Sequence, residues 1–223
     1  MSTRAKRLLI TAGPTHEPID AVRFIGNRSS GRLGVALADR AAARGIDTTI
    51  LLGPTPLAPI DTTVRVIRFR TTADLQQALT ERVPDADTLI MAAAVADYRP
   101  LGSTAADLGG SPTGKLRREK RNITLELEPT PDLLAGVSER VRASGGRQRL
   151  IGFALEPRDG LLDVAKRKLE RKGCDAIVAN PLETMDAETI EAWLVWKNGH
   201  IDETRGPITK IAFADWLLDR VMS

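Results

Sequence analysis

The sequence predicts an α/β fold: a doubly wound, mostly parallel sheet with a flap and a C-terminal hairpin, all within one domain spanning residues 1–223. Two observations carry this prediction. Short runs rich in leucine, isoleucine and valine alternate along the chain with helix-period segments, and no segment repeats. Continuous apolar runs suit strands buried on both faces. Their alternation with amphipathic helices puts helices on both sides of a parallel sheet, a Rossmann-like architecture.

In chain order the strand candidates are LLIT (8–11), TTILL (48–52), VRVIRF (64–69), TLIMAAA (88–94), LIGFA (150–154) and DAIVAN (175–180). Helix candidates lie between them at 32–43, 72–81, 131–142 and 161–172, the third opening with Pro131 and Asp132 in its expected first turn. The segment after Asp97 departs from this rhythm. It begins with loop composition, continues as the basic run GKLRREKR (114–121) and ends in the alternating ITLELE, which reads as a flap or edge hairpin over 101–128. AWLVWKNGHIDE reads as a hairpin turning at Asn198 and Gly199, and PITKIAFADWLLDRV as a closing amphipathic helix.

Composition excludes several functions. The 32 basic and 29 acidic residues leave a net charge of only +3, spread along the chain, which argues against nucleic acid as a partner. Cys174 is the sole cysteine, and His16 and His200 are the only histidines, so neither an internal disulfide nor a cysteine or histidine zinc cluster is expected. No signal-peptide core or membrane-length apolar run is present. A cytoplasmic protein without membrane contact is the expectation.

In sheets of this kind ligands bind at the carboxyl ends of the strands. The loop after the first strand, TAGPTHEPIDAVRFIGNRSSGRLG, is long and ends in S-S-G-x-x-G at a helix start. Serine hydroxyls, glycines that let the backbone come close, and free N–H groups at the positive end of a helix make an anion site. A serine N-cap with glycines serving only the turn is the plainer alternative. In AAAVADYRP (92–100) small residues let a planar ligand lie against the backbone, with Asp97 as an acceptor or metal ligand, or simply as a turn cap. GKLRREKR suits a polyphosphate or a solvated face. Lys168 and Lys172, four apart, share a helix face and repel unless an anion lies between them.

Together ITAGPTHEPIDAVRFIGNRSSGRLG, MAAAVADYRP, GKLRR, PTPDLLA, GFALE, AKRKLERKGCDAIVAN and TKIAFADWLLDRV resemble the phosphopantothenate–cysteine ligases of coenzyme A biosynthesis along nearly the whole chain. Many bacterial members are fused behind a flavin-dependent decarboxylase. Here a free-standing ligase is expected, with no flavin. The resemblance implies that the carboxylate of 4'-phosphopantothenate attacks the α-phosphate of a nucleoside triphosphate, CTP in preference to ATP, and that cysteine then displaces the nucleotide. Mg2+ is expected to accompany the triphosphate, its protein ligands unassigned.

By the same resemblance Gly13, Ser29, Gly31 and Gly34 serve the nucleotide phosphates, while Pro131, Asp132, Leu133, Phe153 and Asn180 line the nucleotide site. Asn27 holds the acyl group, and Arg23 reaches across a homodimer interface to the phosphate of phosphopantothenate. Ala93, Ala94 and Asp97 form the loop at substrate and base. Lys115 is the flap lysine, and Lys168 and Lys172 clamp the triphosphate. Such chemistry depends mainly on positioning and charge neutralisation.

Some features depart from the family pattern. GKLRR stands where the family has K-I-K-K, the segment from Asp97 to Lys115 is longer and leaves Lys120 as an alternative flap lysine, and Thr130 replaces an asparagine. Two other classes stay open at this point. One is a dinucleotide-dependent reductase, disfavoured because no G-x-G-x-x-G directly follows the first strand and Tyr98 is the only tyrosine. The other is a nucleotide-binding relative without activity.

Overall fold

The computed structural model describes residues 6–101, 122–185 and 187–222. Lys115 and Lys120, with most of the predicted flap, lie outside the described residues. Strand β1 (Arg7–Ala12) sits inside an eight-stranded sheet. On one side it pairs in parallel with β4 (Asp47–Leu52), which pairs with β5 (Arg65–Arg68). On the other side follow β6 (Thr88–Met91), β9 (Arg149–Glu156) and β10 (Ala176–Pro181), also parallel. Strands β12 (Trp193–Trp196) and β13 (Ile201–Glu203) extend the β10 edge antiparallel, as the predicted hairpin. The Gly199 N–H donates to the Trp196 carbonyl at 3.0 Å, and that of Trp196 to the His200 carbonyl at 2.9 Å, so Asn198 and Gly199 fall in the turn.

Successive side chains of a strand face opposite ways, and the core divides accordingly. Leu8 and Ile10 face α1 (Arg32–Ala42) and α5 (Lys210–Val221), packing with Leu37, Phe213 and Leu217. Leu9 faces α2 (Thr72–Arg82), α3 (Leu133–Ala143) and α4 (Leu161–Lys172), packing with Leu75, Leu134 and Leu169. The predicted doubly wound sheet is therefore present, and α4 has its predicted bounds.

Several boundaries differ, for local reasons. The strand expected over 88–94 is regular only to Met91, where the Ala93 N–H turns to the Thr11 hydroxyl at 3.1 Å, and Ala94 returns to the register in a single parallel bridge with Pro14. The helix expected from 131 starts at Leu133: Asp132 is its N-cap, Oδ1 accepting the Ala135 N–H at 3.1 Å, and Pro131 precedes it. The alternating ITLELE forms strand only over β8 (Leu127–Pro129), which pairs antiparallel with β7 (Tyr98–Pro100). These two short strands bring together the two ends of the segment predicted as a flap, forming its stem.

The long loop after β1 owes its length to a ribbon of its own, β2 (His16–Pro18) with β3 (Phe24–Gly26). Buried polar side chains fix it. Glu17 accepts both the N–H and the hydroxyl of Thr72 at 2.7 Å, and Asp20 accepts the N–H groups of Val22 and Arg23 at 2.8 and 2.7 Å. Buried carboxylates are tolerated where hydrogen bonds replace water.

Beyond the ribbon the chain enters α1 through Gly31 and Gly34. Gly34 lies against β1 so closely that a Cβ there would meet the Ala12 Cβ at 2.2 Å. Gly34→Ala should therefore push α1 off the sheet and cost roughly 1–3 kcal/mol, the usual range for overpacking. Urea unfolding of the variant tests this, and an unchanged midpoint would contradict the packing described.

Candidate active site

Five strand-end segments meet in a cleft of about 960 Å³ at the carboxyl edge of the parallel strands. One wall is the entry to α1. Its N-cap, Gly31, has φ 74°, in the left-handed region that glycine adopts without strain, and among the described residues no side chain caps the helix. Ser30 Oγ only meets the Arg32 N–H at 3.4 Å, while the Thr55 hydroxyl donates to the Ser30 carbonyl at 2.8 Å and anchors the turn. The serine N-cap alternative is thereby overturned. The first-turn N–H groups of α1 face the cleft beside Ser29, Gly31 and Gly34, the arrangement that favours a phosphate.

The floor comes from the loop after β6. Ala93 and Ala94 line it, and hydrogen bonds to the loop after β1 hold it: the Thr15 N–H donates to the Ala94 carbonyl at 3.2 Å and the Ala96 N–H to the Thr15 hydroxyl at 2.9 Å. Asn27 Nδ2 donates to the Val95 carbonyl at 2.9 Å, which orients the amide and leaves its oxygen for another partner. Asp97 lines the cleft and is exposed. Thr130, the departure from the family's asparagine, donates its hydroxyl to the Ala96 carbonyl and so ties the start of the Pro131–Leu133 segment to the floor.

The opposite wall is α4. Lys168 and Lys172 both line the cleft, as their spacing predicts. Burial lowers the Lys168 ammonium below its ordinary value; Lys172 and Arg171 add to the effect, and Glu156 and Asp97 oppose it. Lys172 does not stand unpaired against Lys168. Its ammonium bonds Asp132 Oδ2, so a carboxylate of the chain takes the place expected for an anion. Burial alone would raise the Asp132 carboxyl, but the Lys172 hydrogen bond, the Ala135 N–H and the nearby cations together hold it below the usual carboxylate value. Phe153 and Asn180 line the remaining side, the Asn180 amide donating to Thr184 Oγ1 at 2.8 Å.

Pro131, Asp132 and Leu133 thus reach the cleft with the other predicted residues that are described, but two do not. Gly13 lies behind it: a Cβ built on Gly31 would meet the Gly13 Cα at 3.5 Å, so Gly13 supports the phosphate turn from below rather than touching the cleft. Arg23 sits on the β2–β3 ribbon, its Nε 3.2 Å from the buried Asp20 carboxylate, outside this protomer's cleft lining.

Sequence reasoning passed over Glu156, Arg171, Thr184, Met185, Ile190 and Lys210, which also line the cleft. Glu156 closes the quoted motif GFALE, so its signal was in view, whereas Met185 and Ile190 carry none that marks a ligand. Cys174 is buried, and burial pushes its thiol up to about 11, so it stays a protonated thiol near neutral pH.

The family described as DNA/pantothenate metabolism flavoprotein C-terminal domain matches residues 3–223. The chain belongs to this family. It is 41% identical over 202 residues to a "Cysteine/Cysteine sulfinic acid decarboxylase" of an unknown prokaryotic organism, covering 89% of this chain and 53% of that protein. It is 40% identical over 203 residues to the coenzyme A biosynthesis bifunctional protein CoaBC of Mycobacterium tuberculosis, covering 87% of this chain and 47% of that protein. The chain therefore spans about half the length of the curated relatives it matches. The crystal structure of the C-terminal domain of a CoaBC protein superposes with a TM-score of 0.77 at 32% identity, covering 98% of this chain and 94% of that one. The match places the whole Rossmann-like sheet and cleft within that domain.

The Asp132–Lys172 pair makes a pH prediction. Because the fold holds the Asp132 carboxyl low, its contribution is present above the unfolded value of about 3.9 and is lost as pH falls through the folded one. Asn keeps the size and the N-cap but not the charge. Wild type should exceed Asp132→Asn in stability at pH 7, and the gap should close on acidification below about pH 4. A gap that persists or widens in acid would contradict the pairing.

Proposed function

We propose that the protein is a phosphopantothenate–cysteine ligase that forms an acyl-nucleotide and then transfers the acyl group to cysteine. The observation that carries this reading is the cleft: an uncapped helix N-terminus on one wall faces Lys168 and Lys172 on the other, with the oriented Asn27 amide between the loops after β1 and β6. Relatives named for coenzyme A biosynthesis support it.

In this reading Ser29 and the first-turn N–H groups of α1 hold phosphate oxygens, and Lys168 and Lys172 neutralise the triphosphate. Arrival of that anion draws Lys168 back toward its ordinary basicity and offers Lys172 a second partner besides Asp132. Phe153, Pro131, Leu133 and Asn180 enclose the nucleoside. Asn27 aligns the substrate carboxylate with the α-phosphate, an orienting task suited to an uncharged amide. Lys115 of the flap supplies charge to the transferring phosphate.

Among the described residues no three His, Cys, Asp or Glu groups together could cage a metal. Magnesium fits instead as a companion of the triphosphate, which needs only one or two protein carboxylates. Asp97 is the candidate, and the ion would neutralise phosphate charge. CTP is the proposed nucleotide.

Arg23 is assigned to a neighbouring active site. It sits between Val22 and Phe24, both exposed, on a ribbon next to β7, and Tyr98 and Leu127 of the flap stem are exposed as well. An apolar strip of this kind suits a two-fold contact between copies. The protein is proposed to work as a homodimer in the cytoplasm. No helix among the described residues is long and apolar enough to cross a membrane. The reductase alternative draws no support from the fold, because the β2–β3 ribbon fills the space after β1 where a dinucleotide turn would sit.

Pyrophosphate release, measured with each of four nucleoside triphosphates, tests the reading. Release should require phosphopantothenate and be fastest with CTP. Arg23→Ala should raise the KM for phosphopantothenate far more than that for nucleotide. Release that ignores phosphopantothenate, or an active monomer by light scattering, would count against the ligase and the dimer respectively.

A further inference from the structure

The proposed second step brings an ammonium into a basic cleft. Arg28, Arg32, Lys168, Arg171, Lys172 and Lys210 line it, against the carboxylates of Asp97, Asp132 and Glu156. Free cysteine arrives as a zwitterion. These cations suit its carboxylate, but its ammonium needs an acceptor among the three acids. Asp132 is already committed, one oxygen capping α3 and the other bonding Lys172. Asp97 is exposed at the start of the flap stem and is the candidate companion of the triphosphate. Glu156 ends β9 in register with Pro181 of β10 and is half-buried, and its carboxylate makes no hydrogen bond or close ion pair among the described residues, its charge being felt by the buried Lys168. A half-buried carboxylate without a donor is costly unless something fills that role.

Resting on the ligase reading, we propose that Glu156 is a cysteine-binding catalytic residue that accepts the ammonium of the incoming amino acid and takes a proton from its nitrogen during acyl transfer. The ammonium loses one proton to solvent to become the amine. The nitrogen lone pair then forms the C–N bond to the acyl carbon, giving a tetrahedral adduct. Glu156 accepts the second nitrogen proton as the adduct collapses, and the C–O bond to the nucleotide breaks with its electron pair leaving on the nucleoside monophosphate. Glu156 returns the proton to water. The carboxylate thus offsets the surrounding cations for this substrate, while the phosphate-binding wall keeps its positive charge for the other.

Glu156→Gln keeps the shape and removes the charge. In single turnover it should form acyl-nucleotide and pyrophosphate at the wild-type rate, but kcat/KM for cysteine should fall by about 10- to 100-fold, the range for losing a charged hydrogen bond. Hydroxylamine, uncharged at neutral pH, brings no ammonium to bind but still sheds a nitrogen proton, so its capture of the acyl-nucleotide should fall by less than that of cysteine. Glu156→Asp should recover part of the cysteine rate. Slowed pyrophosphate release with normal cysteine capture would overturn the proposal, placing Glu156 with the nucleotide or its metal. Equal loss toward cysteine and hydroxylamine would overturn it too. Failure of the ligase reading itself would show separately, as wild-type protein that makes no acyl-nucleotide.

Discussion

The contact between Gly34 and Ala12 decides where everything else in the cleft can stand. With a separation of 2.2 Å to any added Cβ, α1 rests directly on β1 with no side chain between them. That approach brings the helix N-terminus down to the level of the strand ends. Gly31 turns the chain into the helix without a capping side chain, so the first-turn N–H groups face the cleft rather than a side-chain acceptor. Gly13 packs behind Gly31 and completes a turn with little bulk at its centre. A larger residue at Gly34 would lift the helix away from the lysines of α4, and one at Gly31 would strain its left-handed turn.

Charge supplies the second constraint. A cleft lined by so many cations would be self-repulsive if all stood unpaired, and the chain moderates this in two ways. Asp132 neutralises Lys172 while capping α3, and Arg32 pairs with Glu188 at 2.5 Å across the mouth. Lys168 is left partly desolvated, with its ammonium disfavoured by burial and by Lys172. In the proposed function an arriving triphosphate relieves that situation, and a desolvated lysine then favours polyanions. Glu156 and Asp97 oppose the effect of burial on the Lys168 ammonium and are the carboxylates of the wall that suit a cation.

Much of this was legible in the sequence because it is local. The bounds of α4, the hairpin at Asn198 and Gly199 and the glycine-led entry to α1 all follow from short-range pattern. Where the reading slipped, a distant partner had intervened. TLIMAAA looks like seven residues of strand, but the Thr11 hydroxyl draws the Ala93 N–H aside, and only Ala94 keeps an isolated bridge beyond Met91. ITLELE alternates as a strand should, yet only its end finds β7. Asp20 and Glu17 carry no signal of their own in the long loop after β1 and prove to be buried anchors of the ribbon that carries Arg23. Glu156, Thr184 and Lys210 approach the cleft from three separate elements, and no spacing along the chain announces that they meet.

The central claim is that this cleft directs a carboxylate onto the α-phosphate of a nucleotide. Phosphopantothenate carrying 18O in its carboxyl group tests it directly, with mass spectrometry of the products after one turnover in the presence of CTP and cysteine. Attack at the α-phosphate transfers one labelled oxygen to the nucleoside monophosphate and none to pyrophosphate, which is the result expected here. Label in pyrophosphate or inorganic phosphate, or an unlabelled monophosphate accompanied by amide formation, would mean that the cleft activates its substrate by a different route.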